Sequence, residues 1–384
     1  MKKVVSVQLC ILVLLLFGCG QEVDMSQQRT VDKTNTFQTK HARGFTILKQ
    51  NDLDIIRIYN PWNDHAIYFD YLLIPAGDTI PGTLKHNQIT IQLPIESSVL
   101  ISTSHAGLFN ALNCKNVISG FSNPDFLYDA ELRQSVADER VKRTGALESL
   151  NIELLLDMNC DLLMMSGTAT LPPVFKQLRD LNIPVFLNLD WMEQTPLGRA
   201  EWIRAVGRLV GKAALADSLF EEIETSYLWL AERVKEIEVS PDVFIGNNYR
   251  GTWYMPGGNS YVARLLKDAG AAYYWSEDSS SGSLPLSFET VLETQLNTSF
   301  WLQPGIHRSL ASLKSEDERY ANLTAFQSGN VFNSTARTNS TGSSDYWESG
   351  LINPHILLHD IVKILHPQLV PNHTFVFYER LSAD

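Results

Sequence analysis

The stretch Lys212–Glu238, KAALADSLFEEIETSYLWLAERVKEIE, decides how the chain is laid out. Leu215, Leu219, Ile223, Leu230 and Val234 recur mostly at steps of three and four, with Tyr227 filling the longer gap, so they form one apolar helical stripe. Glu221, Glu222, Glu224, Glu232, Lys235 and Glu236 lie largely on the other faces. No Gly or Pro interrupts the run, and Pro241 stops it. At 1.5 Å per residue it would span about 40 Å, roughly the width of a domain. On either side the pattern is α/β, with strand-like runs beginning afresh after Pro241. The expectation is a single long helix between two α/β halves; the plainer alternative is a buried helix inside one larger domain.

A chain of 384 residues is long enough for two domains with their own cores. Its 44% apolar content excludes disorder and coiled coil as descriptions of the whole. The formal charge of -12, with no basic patch to offset it, argues against a nucleic-acid partner. At the start, Lys2 and Lys3 precede an apolar run from Val4 to Phe17. A positive flank and a short apolar core mark a secretory signal, too short for a membrane span. Its end, LFGC at 16–19, resembles a bacterial lipobox, although Phe17 is bulkier than the usual residue. That resemblance implies cleavage before Cys19, lipid on Cys19, and a mature charge of -14 once Lys2 and Lys3 leave the total of -12. An uncleaved N-terminal anchor is the alternative. Residues 19–39 are polar without apolar period and read as a flexible tether. Cys114 and Cys160 each stand just ahead of a strand-like run, which leaves open a disulfide or two inert buried thiols.

Between residues 40 and 95 apolar residues alternate in IIRIYNPW, AIYFDYLLIP and QITIQLP, predicting a β-rich lead-in of short antiparallel strands. From 96 to 196 strands and helices alternate: VLISTS, NVISG, DLLMM and IPVFLNL read as four parallel strands, with a helix from Ala146 to Met158. In such a doubly wound sheet the ligand crevice lies beyond the carboxyl ends of the strands, here at the loops 104–107, 120–128, 166–172 and 190–196. Connecting and hinge helices fill 197–239, and the alternation repeats from 240 to 384. The second set of crevice loops is YRGTWYMPGG (249–258), QPGIHRS (303–309) and STARTNSTGSSDYWESG (334–350). DSSSGS at 278–283 reads as a mobile loop.

This order of parts resembles the helical-hinge substrate-binding proteins of ABC importers, the group that carries ferric siderophores, haem and cobalamin. The resemblance runs from about Leu93 to Leu369 and is carried by RTGALESLNIELLLDMNCDLLMM (143–165), LNIPVFLNL, WIRAVGRLVGKAALADSL, LLKDAGAAY, LSFETVLETQLNTSFWL and the closing His366–Pro367. It implies two Rossmann-like lobes joined by a hinge helix, a ligand held between them, and no catalysis. It also implies a lipid-anchored periplasmic protein that hands an iron or cobalt chelate to a permease. One exposed glutamate per lobe would dock on permease arginines; by position these are Glu153 and Glu289, each near a helix start where a carboxylate is favoured in any case.

The crevice loops are rich in aromatics, which bury flat area at low entropic cost and suit a planar or macrocyclic ligand. Trp191, Trp253, Tyr254, Tyr346 and Trp347 are the aromatic candidates, alongside Phe121, Phe126 and Tyr128. Arg250, Arg308 and Arg337 could pair with a carboxylate or with the negative charge of a chelate. His105 and His307 could ligate iron or another metal. His355 and His359 stand four apart, but HILLH lacks the glutamate of a zinc protease and reads as structural. A free Zn or Mn binder would need several His and a carboxylate meeting in the crevice. The remaining alternative, a secreted α/β hydrolase, finds no G-x-S-x-G elbow, and no P-loop or G-x-G-x-x-G is present.

Overall fold

The apolar runs read as strands are buried on both faces, as strands inside a parallel sheet must be. In the computed structural model, which describes residues 35–37, 39–50, 53–80 and 82–384, they assemble into two separate sheets flanked by helices. The expected signal sequence and Cys19 lie outside the described residues.

The lead-in forms a five-stranded sheet in sequence order: β1 (Asn35–Phe37), β2 (Phe45–Gln50), β3 (Leu53–Asn60), β4 (Ala66–Ile74) and β5 (Gln88–Gln92). β1 to β4 are antiparallel, and β5 runs parallel to β4. The expected tether is corrected at its end, because Asn35–Phe37 pairs with Ile47–Lys49. Alternation sends Ile56, Ile58, Tyr71 and Leu73 into the core. Tyr71 packs 4.8 Å from Phe186, and its hydroxyl accepts the Leu187 amide at 3.0 Å, tying the lead-in to the first lobe.

The first-lobe strands are β6 (Ser98–Leu100), β7 (Ile118–Phe121), β8 (Lys142–Arg143), β9 (Leu162–Ser166) and β10 (Val185–Asn188). All are parallel in the order β10-β9-β6-β7-β8, so the winding reverses between β6 and β9. Their helices are α1 (Thr103–Ala111), α2 (Ala130–Ala137), α3 (Ile152–Asp157) and α4 (Pro173–Asp180). The expected helix 146–158 is shorter than read, because Asn151 starts α3 afresh by accepting the Leu154 amide at 3.0 Å. β8 is the strand that sequence did not suggest. Cys114 and Cys160 are both buried free thiols, and burial pushes the Cys160 thiol up to about 11.

α5 (Pro196–Glu201) and α6 (Ile203–Leu209) lead into the hinge helix α7 (Ala213–Val234). α7 ends about a turn earlier than the sequence run. Its buried face is Ala216, Phe220, Ile223, Tyr227, Leu230, Ala231 and Val234, so in the first two turns it is rotated one residue from the predicted stripe. The cause is packing against α6. A Cβ at Gly207 would come 2.4 Å from the Ala216 Cβ, so only glycine allows this approach. Phe220 also takes the buried Arg204 guanidinium at 4.8 Å from its ring. The chain's entry is stapled to this region by two buried carboxylates. Glu201 accepts the amides of Lys40, His41 and Ala42 at 2.8–3.0 Å, and Glu193 those of Arg43 and Gly44. Lys40 and His41 pair with Glu224 of α7, each at 2.7 Å.

The second-lobe sheet has the order β14-β11-β16-β17-β18, from β11 (Asp242–Ile245), β14 (Ala272–Tyr273), β16 (Phe300–Leu302), β17 (Val331–Asn333) and an antiparallel edge strand β18 (Glu379–Arg380). β12 (Asn248–Tyr249), β13 (Thr252–Pro256) and β15 (Ser283–Ser287) make a small antiparallel sheet beside it. α8 (Tyr261–Asp268), α9 (Phe288–Gln295), α10 (Leu310–Glu316), α11 (Thr324–Gln327) and α12 (Pro354–Leu365) complete the lobe, with α12 returning to pack on α7. The 278–283 segment is pinned: the amides of Gly257 and Asn259 donate to Gly282 and Ser280 carbonyls at 2.8 and 3.0 Å.

Candidate functional site

Both parallel sheets end towards one interlobe cleft, a cavity of about 650 Å³. On the first lobe α1 starts directly after β6. Ser102 caps it, accepting the Ser104 amide at 3.3 Å, and Ile101–Thr103 face the cavity. Phe121, Asn123 and Phe126 follow from β7. On the second lobe Gly305, Ile306 and Arg308 follow β16, and the long segment after β17 brings Ser334, Thr335, Thr338, Ser343, Ser344 and Trp347.

The lining is apolar rings and branches set among hydroxyls. Phe126, Ile306 and Trp347 are 66%, 89% and 56% exposed, costs of solvation that a bound apolar surface would relieve. The hydroxyls can donate or accept, so they adapt to a ligand's polarity. Arg308 is the cation here, and it is partly compensated: it donates to the Thr335 carbonyl at 2.6 Å and lies 3.4 Å from Glu379. Such a lining offers apolar surface, hydroxyls and one guanidinium.

Of the residues expected to bind ligand, Trp347 lies in the cavity. Tyr346 lies buried behind it, ring centroids 4.9 Å apart, with burial holding its hydroxyl protonated. Trp253 must be corrected: it is fully buried in the second-lobe core, its ring 5.8 Å from Trp301 and 6.0 Å from Phe288. The stretch 249–258 is the β12–β13 hairpin and not an open loop, so period-two alternation sends Trp253 and Met255 inward and Tyr254 outward. Arg250 occupies the hairpin turn at φ +53°, its guanidinium 5.2 Å over Tyr249. Trp191 stands at the outer edge of the first-lobe sheet, 6.1 Å from Trp62 of the lead-in, outside the interlobe cavity. Arg337 is held by Asp345 at 2.6 Å and lies 5.5 Å over Tyr128 of the opposite lobe. His105 is corrected as a ligand candidate: it is wholly buried in α1, where desolvation pushes it down to about 4 and keeps it neutral. His307 bonds Ser312 at 2.8 Å and also Glu316, so its ring is already committed. The hydroxyl set and Ile306 were not singled out from sequence; their signal was only that they fall inside the expected crevice loops.

Residues 99–338, well over half of the chain, match the family model described as periplasmic binding protein. The chain belongs to that family. Its fold is similar to a molybdate periplasmic binding protein of Haemophilus influenzae, with TM-score 0.56 and 19% identity over 75% of this chain and 91% of that one. A periplasmic haem-binding protein of Pseudomonas aeruginosa gives TM-score 0.54 and 16% identity, covering 75% of this chain and 99% of its own. Along its whole length the chain is also 23% identical to an uncharacterised lipoprotein of Methanocaldococcus jannaschii, covering 98% of it. The periplasmic binding protein match begins at residue 99, so the β1–β5 sheet lies outside it. Among the described residues no helix is long and apolar enough to cross a membrane.

The binding protein presents its two expected docking carboxylates alike. Glu153 is the second residue of α3, after the cap Asn151, and Glu289 the second of α9, after the cap Ser287. Both are exposed. Glu289 pairs loosely with Arg319 at 3.3 Å.

Proposed function

We propose that this periplasmic binding protein captures an iron or cobalt chelate (a ferric siderophore, haem or cobalamin) in the interlobe cleft. It then presents that ligand to the permease of an ABC importer, while lipid on Cys19 tethers it to the membrane. The lining of the cleft carries this reading. Exposed Phe126, Ile306 and Trp347 favour a large organic surface, while neutral hydroxyls and the one lining arginine, Arg308, suit its peripheral oxygens. A bare cation would need carboxylates and imidazoles turned inward, whereas His307 is tied to its own lobe and His105 is sealed in α1. Molybdate is the second reading, supported by the hydroxyls around Arg308 and by the similarity in fold to a molybdate-binding protein. An oxyanion of that size would leave most of the 650 Å³ unfilled.

Titration followed by intrinsic fluorescence, with ferric siderophores, haemin, cobalamin and molybdate in parallel, tests the reading. One chelate should bind stoichiometrically, and Trp347→Ala should weaken it about tenfold or more while leaving the fold intact. Binding of molybdate alone would replace the chelate reading with the oxyanion one.

A further inference from the structure

The second-lobe wall of the cleft is a long irregular segment, residues 334–348, that returns to touch the first lobe. Its last residue, Glu348, is buried, with 1% of its surface exposed. Its two carboxylate oxygens accept the backbone amides of Tyr128 and Asp129 at 2.7 and 3.1 Å. These amides lead into α2, on the opposite side of the cleft. The neighbouring residue is Trp347, which lines the cavity, and whose carbonyl accepts the Thr103 hydroxyl at 3.5 Å. α1 closes against the same point: a Cβ at Gly107 would come 2.0 Å from the Glu348 carbonyl oxygen, so glycine is required there.

We propose that Glu348 is a positioning residue for ligand binding: by gripping Tyr128 and Asp129 across the cleft it fixes Trp347 and its wall in the binding geometry. This rests on the cleft being the ligand site. A residue next to the cavity but pointing away from it acts through the neighbour it orients. The grip is made of backbone amides, so it survives side-chain changes at 128 or 129 other than to proline, which has no N–H to give.

The grip responds to pH. Burial pushes the Glu348 carboxyl up to about 7, against the two amide hydrogen bonds; Asp345 and Asp129 add to the rise. The charges that face it are those two aspartates, Asp345 with its partner Arg337 and Asp129 with its partner Lys115. On α1 the titratable group is His105, held neutral at about 4. A carboxyl that titrates near 7 when gripped and near its ordinary value when exposed takes up a proton on gripping. The grip is therefore fully stabilised below the exposed value and weakens as pH rises through about 7. For that pair of values, the equilibrium constant for gripping falls about tenfold between pH 6 and pH 8.

The test uses the full folded chain with haemin as probe, and hydrogen exchange of the Tyr128 and Asp129 amides without ligand. In wild type, protection factors at these amides should fall about tenfold from pH 6 to pH 8, and haemin affinity should fall with the fraction of molecules whose grip is formed, by up to about tenfold where that fraction is small. Glu348→Gln cannot titrate, so its profile over that window should be flat once haemin's own ionisations, common to both proteins, are removed. Equal protection and equal profiles in the two proteins overturn the proposal. So does a loss of protection that leaves haemin affinity untouched, since Trp347 would then hold its place unaided. If haemin binds neither protein, haem alone is removed from the chelate reading, and the pH-dependence of amide protection in wild type still decides the grip.

Discussion

The two walls of the cleft are built differently. The first-lobe wall is short: β6 runs into α1 through Ile101 and the cap Ser102, and β7 into Asn123–Phe126. Its side chains are aimed by the sheet itself. The second-lobe wall is long, leaving β17 at Asn333 and returning to an α-helix only at Pro354, and it carries most of the hydroxyls and Trp347. Such a segment has few ladder bonds of its own. Its order comes from across the cleft: Asn339 donates to the Leu127 carbonyl at 3.1 Å, Ser343 to Asp125 at 2.9 Å, and Glu348 receives Tyr128 and Asp129. The wall held by its own sheet thus supplies the anchor points for the one that is not.

The largest expected effect tests what the lobes share before what separates them. Glu153 and Glu289 hold equivalent helix positions, so Glu153→Lys with Glu289→Lys should abolish uptake in cells while purified protein binds its ligand unchanged. Weakened binding would place these carboxylates in the site and undo the symmetry. Next comes Trp253→Ala. Removing a buried indole that packs on Trp301 and Phe288 should cost about 3–5 kcal/mol in a denaturant titration. Trp347→Ala, on the second-lobe wall, should leave the unfolding midpoint nearly unchanged and lower affinity instead. Were the two tryptophans to trade these phenotypes, the division into core and wall would be wrong.

That contrast also shows what was legible in the chain. The hinge was legible because a helix of this length leaves a periodic trace, and β6, β9 and β10 because strands buried on both faces are continuously apolar. Trp253 was misplaced for an identifiable reason. Gly251, Pro256 and the polar neighbours of the β12–β13 hairpin resemble a loop, yet the inward pair Trp253 and Met255 has the period of a strand. Trp347 sits in an equally polar stretch and does line the cleft. The difference is a partner strand, β15, which arrives from thirty residues later and leaves no local trace. β8, only two residues long, has no period to read. Glu348 was invisible for a stronger reason: nothing in DYWESG distinguishes a solvated glutamate from one that crosses a cleft, since its partners are backbone amides and backbone is the same at every residue.

The smallest expected effect separates templating from simple contact. Asn339→Ala removes one interlobe bond, and Ser343→Ala another, each worth about 1 kcal/mol in a partly exposed setting. Asn339 also organises its own turn, its side-chain oxygen accepting the amides of Thr341 and Ser343 at 3.0 Å. Ser343, by contrast, gives its hydroxyl to the opposite lobe. If the first-lobe wall templates the other, both single changes should lower affinity by few-fold factors, Asn339→Ala by more because it also removes the turn bonds, and the double change should cost less than their sum, because both act on one segment. Affinity measured by titration on the four proteins of this cycle decides the matter. Strict additivity would mean that each bond holds only its own residue, and the second wall would then owe its shape to its own turns.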